Sequence, residues 1–154
     1  MEVIGLLKEE ICMANSANGY PVTLKLTTVI RQEGDEETFT FEENGTITPM
    51  GDTLYLRYIE HQAGLETPVT FKMTPAGEVS LKRSGQSDVR LQFAPDATIP
   101  TRYVTPQGSM SIDVRTNDLK TVLDEDFGHV NVAYSLLAGE TLLGDYSLEL
   151  HFEK

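Results

Sequence analysis

The sequence is short of most of what would announce a chemistry. It has one cysteine, Cys12, and no tryptophan. A single thiol excludes an intrachain disulfide framework and any cysteine-rich zinc site. Lys and Arg together number 12 against 24 Asp and Glu, a formal charge of −12. Affinity for phosphate backbones and anionic bilayers comes from clustered Lys and Arg, so the composition as a whole points away from nucleic acid and membrane surfaces. The longest early apolar run, Ile4-Gly5-Leu6-Leu7, is too short for a secretory signal or a membrane span. There is no phosphate-cradling loop, no dinucleotide fingerprint and no nucleophile elbow. A cytoplasmic protein without cofactor or metal is expected.

What is present is the composition of a folded domain. The 154 residues suit one domain, and 40% hydrophobic with 23% charged residues is too apolar for disorder. Residues 1–20 stand apart. Val3, Ile4, Leu7 and Ile11 fall near helical spacing and Asn15, Ser16, Asn18 and Gly19 read as loop, so a poorly structured or short helical leader is one reading. The other is translational. Lys8-Glu9-Glu10 can be encoded by a purine-rich ribosome-binding sequence, and Met13 follows at an initiation spacing. Residues 1–12 would then be an over-extended reading frame, and Cys12 would be lost with them.

From Pro21 to Lys154 the apolar period is two. Val22, Leu24, Leu26 and Ile30 alternate with Thr23, Lys25, Thr27 and Arg31. The same rhythm returns in Phe39/Phe41/Ile47, Leu54/Leu56/Tyr58, Val69/Phe71/Met73, Val79/Leu81, Val89/Leu91/Phe93, Met110/Ile112/Val114, Val130/Val132/Tyr134/Leu136 and Tyr146/Leu148/Leu150/Phe152. Gly, Pro, Asn and Asp punctuate these runs, as at Pro75-Ala76-Gly77 and Pro106-Gln107-Gly108. His61 to Pro68 reads as a loop, Ala94 to Pro100 as a break, and Leu119 to Leu123 as a short separate strand. Nine or ten strands with short connections require antiparallel neighbours, because parallel ones need long crossovers. A sheet this long and this one-sided buries its apolar face by closing on itself or by packing on a second sheet. The expected fold is an all-β, antiparallel, meandering closed barrel; a two-sheet sandwich is the alternative.

Several local patterns resemble one bacterial family. They are Tyr58-Ile59-Glu60, Val79-Ser80-Leu81-Lys82-Arg83-Ser84-Gly85, Phe93, Tyr103-Val104-Thr105-Pro106-Gln107-Gly108, and the Tyr134-bearing strand after Gly128. In that order and spacing they resemble the YwiB-like family of small proteins from Firmicutes, a domain of unknown function grouped with the lipocalin-like calycin barrels. The resemblance covers roughly Pro21 to Lys154. It implies a closed antiparallel barrel and no particular activity.

In a barrel, polar residues in phase with the apolar face point inward, where an isolated charge is costly unless paired. Arg83 shares the phase of Val79 and Leu81, Glu60 that of Leu56 and Tyr58, and Glu43 that of Phe39 and Phe41. Tyr134 and Tyr146 are also on apolar phases, and Tyr103 joins them if its strand is phased likewise. These residues have two readings. Arg83, whose planar fork suits a carboxylate or phosphate, would bind an anionic group of a small ligand, with Glu60, Glu43, Tyr58, Tyr103 and Tyr134 as partners. Alternatively Arg83 and Glu60 form a structural pair that closes one end of a filled barrel, and the acidic surface meets a protein partner. A lesser reading makes Glu60 and Glu43 an acid–base pair. His61, His129 and His151 lack metal-pair spacing, and Asp124-Glu125-Asp126 reads as a solvated turn.

Overall fold

A computed structural model describes residues 19–62, 64–85 and 88–154. The leader expected over residues 1–20 and the start at Met13 lie outside these residues except for Gly19 and Tyr20, and Tyr20 is already the first residue of a strand. The described chain holds ten strands: β1 Tyr20–Gln32, β2 Asp35–Met50, β3 Thr53–Gln62, β4 Leu65–Met73, β5 Val79–Ser84, β6 Asp88–Phe93, β7 Thr98–Thr105, β8 Gly108–Leu123, β9 Phe127–Ala138 and β10 Thr141–Glu153. Every strand pairs antiparallel with the next, and β10 pairs with β1, so the sheet closes into a barrel. Closure leaves no edge strand to template aggregation. Among the described residues no helix is long and apolar enough to cross a membrane.

The alternation read from the sequence sets the wall. Val22, Leu24 and Leu26 on β1 are buried while Thr23 and Lys25 face out, and Val69, Phe71 and Met73 on β4 repeat the pattern. A meander places odd-to-even hairpins at one end and even-to-odd connections, with both ends of the described chain, at the other. The second end is packed solid. Phe71, Phe93, Phe152, Leu26, Ile47, Leu56, Met73 and Leu150 are all less than 2% exposed or at that level. Gly128 shows how tightly this end is plugged: a Cβ there would lie 2.1 Å from the Phe152 ring, which covers the glycine across the β9–β10 ladder.

Three expectations change. Leu119 to Leu123 is no separate strand but the end of β8, which continues past an extra residue, Asn117, where Ala133 pairs with Asp118 and Tyr134 with Thr116. Such a bulge shifts the sequence phase without ending the strand. The loop expected from His61 to Pro68 is mostly strand, since β3 runs to Gln62 and β4 begins at Leu65. The break after Phe93 is shorter than expected, with β7 starting at Thr98.

The ladders are not equally strong. β1 and β2 share thirteen rungs from Tyr20↔Ile47 to Gln32↔Asp35, whereas β6 and β7 share the single rung Asp88↔Val104. β7 carries Pro100, which lacks an N–H, and the Thr101 hydroxyl bonds the Arg90 carbonyl across this seam. The upper part of β2 is also free of β3, because their pairing stops at Gly45↔Tyr58.

Candidate functional site

The hairpin end of the barrel is not filled. A cavity of about 370 Å³ lies there, between Thr28 and Ile30 of β1, Phe39 and Phe41 of β2, Leu81 and Arg83 of β5, Val89 and Leu91 of β6, and Tyr134 and Leu136 of β9. Thr101, Tyr103, Ile112, Tyr146, Leu148 and Gln62 complete the wall. It is an apolar chamber with a few polar tips, the usual character of a small-molecule site. Among the described residues one cation reaches it. Arg83 follows Val79 and Leu81 in inward phase and is one-third exposed.

Glu60 of β3 sits behind Arg83. Its side chain is 3% exposed, and Arg83 Nη2 donates to Glu60 Oε1 at 2.5 Å. The pairing follows from register: Tyr58 and Arg83 both lie opposite Val69, and Glu60 is the next inward residue on β3. Burial pushes the Glu60 carboxyl above the usual carboxylate range, Arg83 pulls it down, and the neighbouring Glu43 raises it. Among the described residues Glu60 is the one acidic partner of Arg83 within 4 Å.

Glu43 is placed where β2 and β3 part. The His61 backbone N–H, released from the ladder there, donates to Glu43 Oε2 at 3.0 Å, and His61 Nδ1 lies 3.1 Å from Oε1. The hydrogen bond to Glu43 raises the exposed His61 imidazole above its ordinary value. Glu43 thus caps a splayed rung and does not line the cavity. Tyr58 does not line it either. Its ring stacks on Phe71 with centroids 6.5 Å apart, in space that Gly45 provides opposite, where a Cβ would meet the Arg57 carbonyl at 2.9 Å. The Tyr58 hydroxyl is buried without a partner among the described residues; burial, Glu60 and Glu43 push it far above the ordinary phenol range, against a lowering by Arg83.

Opposite Arg83 stands a group of tyrosines. Tyr134 and Tyr146 stack with centroids 5.1 Å apart and planes 7° apart, and Phe93 closes on Tyr134 at 4.7 Å. Burial raises the Tyr134 hydroxyl, the neighbouring Tyr146 adds to this, and Arg83 lowers it. Gln32 Nε2 donates to the Tyr146 hydroxyl at 3.3 Å.

The structure therefore brings Arg83, Tyr103 and Tyr134 to one cavity, with Glu60 bound behind Arg83, and leaves Tyr58 and Glu43 beside it. Sequence reasoning missed Gln62 and Thr28. Gln62 is next in phase after Glu60, a signal hidden by ending the strand before it. Thr28 falls between Leu26 and Ile30 on the same inward parity, a signal that was there to read, and it pairs with Phe39 and Leu148, both wall residues. Among the described residues no three His, Cys, Asp or Glu side chains form a metal-sized cluster.

Residues 24–150 match the model of the family described as "Domain of unknown function (DUF1934)". The chain belongs to this family. It is similar to the uncharacterised β-barrel protein YwiB of Bacillus subtilis (strain 168), 28% identical over 120 residues that span 78% of this chain and 84% of YwiB. The crystal structure of the ywiB protein from Bacillus subtilis matches with a TM-score of 0.78 over 88% of this chain and 92% of that one. At 24% identity over this match, the likeness shows the fold. The family and the closed barrel expected from the sequence both stand, and neither carries an assigned activity.

Proposed function

We propose that the protein is a non-catalytic binding module that holds one small ligand, partly apolar and bearing an anionic group, in the hairpin end of the barrel. The observation that carries this reading is the 370 Å³ cavity with Arg83 as the one cation on its wall among the described residues. Leu81, Leu91, Ile112, Leu136 and Leu148 suit an apolar body, and the tyrosine group offers hydroxyl donors to a polar edge. Glu60 engages one guanidinium nitrogen and so holds the fork in place, leaving its remaining N–H groups for a carboxylate or phosphate. A barrel filled from end to end, the structural alternative, leaves this chamber without a role.

Thermal-shift titrations with decanoate and with decanol as probes test the reading. Decanoate at 100-fold excess over its dissociation constant stabilises the wild type by about 2.7 kcal/mol. Arg83→Gln combined with Glu60→Gln, which removes both charges together, abolishes the carboxylate preference and keeps a residual response to decanol. Equal responses of wild type and double variant to both probes overturn the proposal.

A further inference from the structure

The outer wall carries a second feature that the net charge conceals. Strands β3 to β7 point Arg57, Lys72, Lys82, Arg90 and Arg102 to solvent, and all five are exposed. The acidic residues sharing this outer face are Glu66 and Asp88, and Glu66 lies 3.3 Å from His61. None of the five cations has an acidic partner within 4 Å among the described residues. In a chain with 24 acidic side chains, that segregation is not what random placement gives.

The register aligns them. Arg57 pairs with Thr70, Thr70 with Lys82, and Lys82 with Arg90. The one rung of the seam, Asp88↔Val104, sets Arg90 opposite Arg102. Four cations thus occupy a single row across five strands, about 19 Å at ~4.8 Å per strand. Three of them, Lys82, Arg90 and Arg102, are on consecutive strands. Like charges directly opposite one another destabilise a sheet, so this row lowers the stability of the free protein and is neutralised when an anionic partner covers it.

We infer that the outer wall of β3–β7 is a docking surface for an acidic segment of a protein partner. Charge complementarity defines the anionic character of the partner, and the remaining surface of the wall selects the protein. Single-stranded nucleic acid gains much of its affinity from bases stacked on exposed aromatic rings. Here the one Phe, Tyr or Trp side chain facing out is Tyr55, and it is already engaged: the Arg57 guanidinium carbon lies 5.2 Å and Lys72 Nζ 6.0 Å from its ring centroid, while the outward His61 imidazole is held by Glu43 and Glu66. The rest of the wall includes Thr70, Ser80, Gln92, Thr98 and Pro100, which suit carboxylates and backbone amides, with Ile59 and Val104 exposed beside them as apolar contacts for a peptide's side chains. A long polyanion also runs off a 19 Å row onto a barrel of net charge −12, whereas a short acidic segment does not. The site is on the outside of the wall and independent of the cavity.

Fluorescence anisotropy with a labelled Glu-rich decapeptide, and with a labelled oligothymidylate of equal charge, tests this. The decapeptide binds the wild-type chain at low salt, weakens at least tenfold between about 50 and 200 mM salt, and is preferred over the oligonucleotide. Arg90→Gln/Arg102→Gln reduces its affinity at least tenfold, and the same variant unfolds at a temperature no lower than wild type because the opposed charges are gone. Lys25→Gln, on β1 away from the wall, leaves binding unchanged. Undiminished binding by the double variant overturns the proposal, as does no binding at low salt or tighter binding of the oligonucleotide.

Discussion

Glu60 couples the site to pH. Its folded-state titration is raised, chiefly by burial, above the ordinary value of 4.5. A carboxyl with a raised pKa binds its proton more tightly folded than unfolded, so its contribution to stability is fully present below the unfolded value and is lost as pH rises through the folded one. Glu60→Gln removes this slope. Its unfolding free energy, measured by urea titration from pH 4 to pH 7, therefore gains on that of the wild type as pH increases; a constant difference across that range contradicts the burial of an ionisable Glu60. The same proton is linked to the proposed ligand. A protonated Glu60 no longer offsets the Arg83 charge, so decanesulfonate, whose own charge is constant over this range, binds more tightly as pH falls through the raised Glu60 titration.

Elements act through packing against one another. β9 begins at Phe127-Gly128 and β10 ends at Phe152-Glu153, and the Phe152 ring over Gly128 seals the packed end. Gly128→Ala forces the ring or the strand aside and costs about 1–3 kcal/mol of stability, the usual range for overpacking, read as a lower urea midpoint. Because the cavity is at the other end, ligand response survives in the folded fraction. The elements also explain which expectations needed correction. Periodicity identified every strand containing several inward apolar residues, such as β1, β4 and β9. It failed where a strand lacks them. The stretch from His61 to Pro68 holds Gln62, Gly64, Glu66 and Pro68, residue types that read as loop, and the bulge at Asn117 inverts the phase so that Leu119 to Leu123 looks detached. Bulges and splays are set by the neighbouring strand, which a single segment does not reveal.

At the scale of the molecule the barrel is two unequal halves. One is a core of interlocked aromatic and aliphatic side chains; the other is a chamber whose lining includes Thr28, Thr101 and Gln62 where larger apolar residues would fill the space. Thr28→Leu adds apolar volume between Phe39 and Leu148. It raises stability by about 1 kcal/mol and diminishes the decanoate shift, seen by calorimetry. If ligand response is unchanged while stability rises, the ligand is not in this chamber. Charge is divided as unequally as volume. The acids Glu33, Asp35, Glu36 and Glu37 cluster at the β1–β2 tip, where solvent screens them, while the cations of β3–β7 share one face.

The sequence by itself determined the fold class, because alternation of period two with short connections has few solutions, and closure buries one face and removes the edges together. It also determined that Arg83, Glu60 and Glu43 point inward, since side-chain direction in a strand is a matter of parity. Only the tertiary structure decided which of them meet. Parity says inward or outward but not at what height, and height depends on the stagger accumulated around ten strands. That stagger puts Arg83 and Glu60 in contact, sends Glu43 to His61, buries Tyr58 below the chamber, and brings four cations from four strands into one row that no stretch of the sequence displays.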